Sequence, residues 1–164
     1  MGILDWLKHV TSEPQGGAKH PSVPPSTGTR KELEFDDGEQ HFHGLDMKGA
    51  LEAHRAWRVR LEAQIRGDAT ESLEVANVAA DHNCALGKWL HGEGKNRFTN
   101  VTEYEELVRD HANFHLAAGE ILMTSHQGKR ESASRMLKSD FRHHSDRVQL
   151  SLVRLFAHAR KTIN

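Results

Sequence analysis

From about Phe42 onward, large apolar residues recur every three or four positions, and no useful length of chain alternates with period two. That spacing lines one side of an α-helix and leaves little room for a half-buried strand. Met47, Ala50, Leu51, His54, Trp57, Leu61 and Ile65 form the first stripe; Asp46 is placed to cap it, and Gly67-Asp68 to stop it. A second helical region spans roughly residues 72–91 and is expected to end at Gly92 and Gly94, with Asp81 capping a fresh turn inside it. Thr102-Glu-Tyr-Glu105 fits a capping box. Tyr104, Leu107, His111, Phe114, His115, Ala118 and Leu122 follow, up to Gly128. The last stripe runs from about Glu131 to Lys161 through Leu137, Phe141, Val148, Leu152, Leu155 and Phe156. Amphipathic helices joined by short connections predict an all-α fold, an antiparallel four-helix bundle.

The N-terminal 32 residues read differently. Ile3, Leu4, Trp6, Leu7 and Val10 have helical spacing, which predicts a short amphipathic helix. Residues 11–32 hold all four prolines and the Gly16-Gly17 pair, a composition expected of a flexible linker. The domain boundary therefore falls between an arm, residues 1–32, and a body, residues 33–164. The arm lacks the basic start and small-residue cleavage site of a secretory signal, and Trp6 breaks the myristoylation pattern.

Charge and cysteine content remove further classes. Lys+Arg 22 against Asp+Glu 23 gives a net charge of −1, so no strong field is aimed at nucleic acid or anionic lipid. No apolar run approaches the ~20 residues of a spanning helix, so no integral membrane segment is expected. One cysteine allows no intramolecular disulfide, and a cytoplasmic location is expected.

Histidine is the outlier, with 13 residues against that one cysteine. His111 and His115 stand at i and i+4, about 6 Å apart along one helix face. His54 lies on the first apolar stripe, and Cys84 near the start of a helical turn. One thiolate and three imidazoles make a complete tetrahedral set for zinc, supplied from three helices. The same residues also suit a core of neutral histidines and a small buried thiol.

Their neighbours have assignable roles. Asp81 as an N-cap would put Cys84 in a helix's first turn, where the dipole favours thiolate. Gly87 removes a side chain where another helix must come close, and Trp57, Trp89 and Phe114 would keep the centre dry. Asp110 reads as either an acceptor for a ligand histidine or a solvated carboxylate. His82 and His91 read as surplus ligands or surface residues, and His41, His43, His143 and His144 as surface residues.

The wording around the four donors is more specific than their spacing. His54-Arg-Ala-Trp57, Cys84-Ala-Leu-Gly87-Lys-Trp89 and His111-Ala-Asn-Phe-His115, in this order, resemble the chemoreceptor zinc-binding (CZB) domain family. The flanking text DHNCALGKWLHGEGK and RDHANFH is similar as well, and the resemblance covers roughly Phe42 to Phe156. It implies a helical bundle with zinc held by His54, Cys84, His111 and His115. It further implies a homodimer that accompanies chemoreceptors or diguanylate cyclases and responds to zinc or to oxidants such as hypochlorous acid. This sequence shows neither a receptor signalling hairpin nor a cyclase domain, so output is expected to pass through a partner or through oligomerisation.

A site with four protein ligands leaves no position for substrate, and no nucleophile elbow, P-loop or dinucleotide fingerprint is present. A non-enzymatic sensory or regulatory domain is therefore expected. A zinc metalloenzyme, which needs an exchangeable water on the metal, and a zinc buffer, which needs no conformational response, are the alternatives.

Overall fold

A computed structural model describes residues 41–163; the N-terminal segment and the linker, residues 1–32, lie outside the described residues. The described chain begins with a minimal antiparallel hairpin, β1 (His41–Phe42) and β2 (Leu45–Asp46). His43 and Gly44 between them both take positive φ, 45° and 83°, the turn that matches the twist of a two-residue hairpin. The hairpin was not legible from alternation because each strand has only two residues. Its apolar members, Phe42 and Leu45, are buried.

Helix α1 (Met47–Arg66) follows directly. The Asp46 carboxylate accepts from the Gly49 amide at 2.9 Å, and Gly67 closes the helix with φ +82°, as the sequence predicts at both ends. All of the predicted first stripe is buried except Trp57, which is half-buried.

The second helical region is divided more often than the single fresh turn expected within it. Short α2 (Val75–Ala79) leads to a 3-10 turn (Asp81–Asn83) and α3 (Ala85–Trp89), then a π turn (Leu90–Gly94) and α4 (Lys95–Phe98). Gly92 and Gly94 do not end it. A Cβ on Gly94 would lie 2.8 Å from the Trp89 ring, so this glycine makes room for an indole. The segment ends instead at Asn100, with φ 69°.

Helix α5 (Thr102–His126) starts one residue earlier than a Thr102 cap would allow. Val101 is the capping residue and makes no side-chain bond, so the capping box does not form. The last region also divides, into α6 (Arg130–Lys138) and α7 (Asp140–Ile163). At the break, the Ser139 hydroxyl donates to the Arg135 carbonyl at 2.9 Å, a back-bond that bends helices.

Cross-helix contacts give the directions. Between α5 and α7, Glu103 meets His158, Glu106 meets Arg154, and Asp110 meets Ser151 and Arg147, so the two run antiparallel. Between α5 and the broken region, His115 meets Val78, His111 meets Cys84, and Tyr104 meets Leu90, again antiparallel. Helix α1 runs parallel to α5, with His54 beside His111 and the Gln64 carbonyl beside Ser125. The result is the all-α bundle of four helical regions with α5 at its centre, packed on Leu61, Leu86, Leu107, Phe114, Leu122, Phe141 and Leu155. Among the described residues no helix is long and apolar enough to cross a membrane.

Asp46→Ala should remove the α1 cap and cost about 1 kcal/mol of stability. A urea unfolding midpoint that does not fall in this variant would show that the hairpin alone sets the start of α1.

Candidate metal centre

Helix α5 supplies two imidazoles because His111 and His115 are one turn apart on its buried face, their ring centroids separated by 4.7 Å. Helix α1 brings His54 to within 5.3 Å of the His111 ring and 6.3 Å of the His115 ring. The entry to α3 adds Cys84, whose sulfur lies 3.2 Å from His111 Nε2. One donor atom from each of His54, Cys84, His111 and His115 fits a cluster in which all lie within 4.8 Å of one another. All four site residues expected from the sequence are thus in one place.

The hydrogen bonds of two of these rings decide which nitrogen is free. His54 Nδ1–H donates to the Ala50 carbonyl and His115 Nδ1–H to the Val78 carbonyl, both at 2.7 Å. A carbonyl only accepts, so in each neutral ring Nε2 carries the bare lone pair. Both Nε2 atoms are buried with no hydrogen-bond partner, as is His111 Nδ1. Orphaned buried polar atoms are costly and rare, and a cation shared by several of them removes the cost. The donor set, three imidazoles and a thiol, suits zinc.

Burial also sets the protonation. Desolvation pulls His54 down to about 4 and His111 to about 3, and it lowers His115 too. The imidazoles are therefore neutral at pH 7, the form that binds metal. Cys84 goes the other way: burial pushes its thiol up, and amide hydrogen bonds from Gly87 and Leu86 only partly oppose this. The helix terminus does favour thiolate through these amides, but burial outweighs it. Cys84 is itself the N-cap of α3, its sulfur accepting from the Gly87 amide at 3.2 Å, and Asp81 is not a cap.

Gly87 has a clear reason. A Cβ there would lie 1.8 Å from the Asp81 carbonyl oxygen, so the close approach is made by the chain's own preceding turn rather than by another helix. Gly119 plays the inter-helix part, where a Cβ would meet that of Ala79 at 2.9 Å. This contact holds α2 against α5 and keeps Val78 on His115.

The neighbours differ from expectation in several places. Phe114 packs on His54 at 4.9 Å and His115 at 5.3 Å, and Trp57 stands 6.1 Å from His115, as a dry wall requires. Trp89 instead packs on Phe42 and Phe98 and donates to the His43 carbonyl at 2.9 Å, sealing the hairpin. Asp110 is neither solvated nor turned to a cluster histidine: it is buried and accepts from Ser151 and, at 3.3 Å, from Arg147 on α7. His91 is engaged by Asp81 at 2.9 Å and is not in the cluster, while His82 is exposed 3.8 Å from the same carboxylate. His41 and His143 are exposed; His43 and His144 are half-buried. Asp81 is the neighbour whose role the sequence misassigned, since only the folded turn brings it near His111.

Fold and site together define a helical bundle with a three-histidine, one-cysteine cluster able to hold a metal ion. Residues 54–122 match the family model described as the chemoreceptor zinc-binding domain, and all four cluster residues lie within that segment. No curated protein and no solved structure matches the chain.

The depressed histidines make stability depend on pH with a definite sign. Their folded values lie below the ordinary 6.5, so between about 6.5 and 4 the unfolded chain binds protons that the folded chain does not. The metal-free protein should therefore lose stability as pH falls through this window. Urea midpoints at pH 7 and pH 5 test it; an equal or higher midpoint at pH 5 contradicts the burial of neutral imidazoles.

Proposed function

We propose that this is a zinc-binding sensory domain in which His54, Cys84, His111 and His115 ligate one zinc ion, and in which Cys84 makes the centre responsive to oxidants. The observation that carries the reading is the convergence of the unpartnered Nε2 atoms of His54 and His115 on the Cys84 sulfur and His111. Four protein donors close a tetrahedral site, which suits a structural or sensory ion better than a catalytic one that must keep a position open. Zinc supplies charge that holds Cys84 as thiolate, which burial alone opposes.

Alanine in place of His111 or His115 should lower zinc content well below one per chain and destabilise the bundle, because binding free energy at such a site is folding free energy. Elemental analysis of the purified variants checks this. Full occupancy in both single variants would remove the assignment.

Oxidation supplies a route from stimulus to structure. Hypochlorous acid passes chlorine to the thiolate sulfur with loss of hydroxide; water then displaces chloride and a proton leaves, giving a sulfenic acid. Sulfur loses two electrons and chlorine gains them. The half-buried Cys84 admits a small oxidant, and as the single cysteine of the chain it has no internal thiol with which to form a disulfide. A sulfenic acid is a poorer ligand and a poorer cap for α3, so the cluster and the turn before it loosen together. The family resemblance suggests a chemoreceptor, a diguanylate cyclase or a second copy of the chain as the receiver of that change.

Intact-mass spectrometry after sub-stoichiometric hypochlorous acid, with zinc release followed in parallel, separates the outcomes. Cys84 should gain one oxygen as zinc leaves. Among the described methionines Met123, 46% exposed, is the most accessible competing sulfur; methionine oxidation first, with Cys84 reduced and zinc bound, would leave zinc sensing and remove redox sensing.

A further inference from the structure

His111 is the odd member of the cluster. His54 and His115 each spend Nδ1–H on a main-chain carbonyl, Ala50 and Val78 respectively. His111 has no such carbonyl. Its Nε2 faces the Cys84 sulfur at 3.2 Å, so Nδ1 is the outward nitrogen, and it is buried without a hydrogen-bond partner. The carboxylate oxygen Oδ2 of Asp81 lies 4.0 Å from it.

Three features of the chain fix that carboxylate. The absence of a side chain on Gly87 lets the Asp81 carbonyl sit against the first turn of α3, at a spot where a Cβ would be 1.8 Å away. His91 Nε2 is 2.9 Å from the same Oδ2 and anchors it. His91 lies in the π turn Leu90–Gly94, whose wider winding turns its side chains away from the direction a regular α-helix would give them. His82, exposed, stands 3.8 Å from the other oxygen.

We infer that Asp81 is the positioning residue for His111, its carboxylate accepting the Nδ1 proton when Nε2 is given to the metal, and that His91 holds Asp81 in place. This rests on the four-ligand reading above. A metal on Nε2 leaves the proton on Nδ1, and that N–H then needs an acceptor; a shift of about 1 Å brings Oδ2 to hydrogen-bond distance. Asp81 thereby does for His111 what the Ala50 and Val78 carbonyls do for the other two rings. A carboxylate differs from a carbonyl in one respect: it makes the ring a stronger donor to the metal.

The test uses the full chain as Asp81→Asn, Asp81→Ala, His91→Ala and Asp81→Ala/His91→Ala. Zinc affinity is measured by competition with a chromophoric chelator. The imidazole N–H signals of the zinc-loaded protein are followed by NMR with nitrogen-15-labelled histidine, and His111 is assigned by its loss in His111→Ala. Asp81→Ala should weaken zinc binding by about 10–100-fold, and His91→Ala by less. The double variant should be no weaker than Asp81→Ala. The His111 Nδ1–H signal should shift upfield and exchange faster in both Asp81 variants, while those of His54 and His115 stay in place. Asp81→Asn preserves size, so it carries the test if Asp81→Ala folds poorly.

Wild-type zinc affinity and an unmoved His111 signal in the Asp81 variants would overturn the positioning role. So would displacement of all three imidazole signals together, which marks a merely structural part. Retention of zinc by His54→Ala, Cys84→Ala and His115→Ala would instead overturn the four-ligand reading, so the two failures are distinguishable.

Discussion

Taking three imidazoles out of water at the centre of a helical bundle is the constraint around which the other elements are arranged. His54, His111 and His115 are each at most 3% exposed, and three of their ring nitrogens have no protein partner. An unpaired buried polar atom costs on the order of 1–3 kcal/mol, a large fraction of what a domain this size has to spare. A chain that carries such a cost at one point, with a thiol 3.2 Å from one of the rings, is built for something that binds there. The metal centre and the stability of the bundle are for this reason one problem.

The carbonyls on His54 and His115 show how the cost is kept in bounds. Ala50 lies one turn before His54 in the same helix, so α1 orients its own imidazole. Val78 reaches His115 from another element, and only because Gly119 lets α2 lie against α5. One ring is therefore set by local helix geometry and one by tertiary packing. The second arrangement is the more fragile, since α2 has only five residues and makes no side-chain cap bond.

This division explains what could be read from the sequence. The long stripes of α1, α5 and α7 were legible because burial on one helix face imposes a period that a single sequence displays. The four-residue cluster was legible through the pair His111 and His115 and through the family-like wording around Cys84. Residues 75–98 were not, because five short elements follow one another with no period, and Gly87 and Gly94 serve contacts rather than ends. Gly87 meets the Asp81 carbonyl and Gly94 the Trp89 ring, and both partners are known only once the chain is folded. Asp110 was misread for the same reason: adjacency to His111 in sequence puts it about 100° away around the helix, facing α7.

That last geometry separates the two faces of α5. One face holds His111 and His115; another carries Asp110, bound to Ser151 and Arg147, with Glu106 and Arg154 a turn away. The α5–α7 contact rests on apolar burial from Leu107 to Leu155 and on this buried polar bridge, none of which involves a cluster residue. The segment from α2 to α4 rests on the cluster more directly. Cys84 caps α3, Val78 is tied to His115, and the turn between them is packed on Gly87. Local stability follows the density of such independent contacts. A disturbance at Cys84 therefore falls first on residues 75–98, while α5 and α7 keep their register. The cluster contacts and the α5–α7 contacts share a single helix, and which side of α5 a residue occupies decides the set to which it belongs.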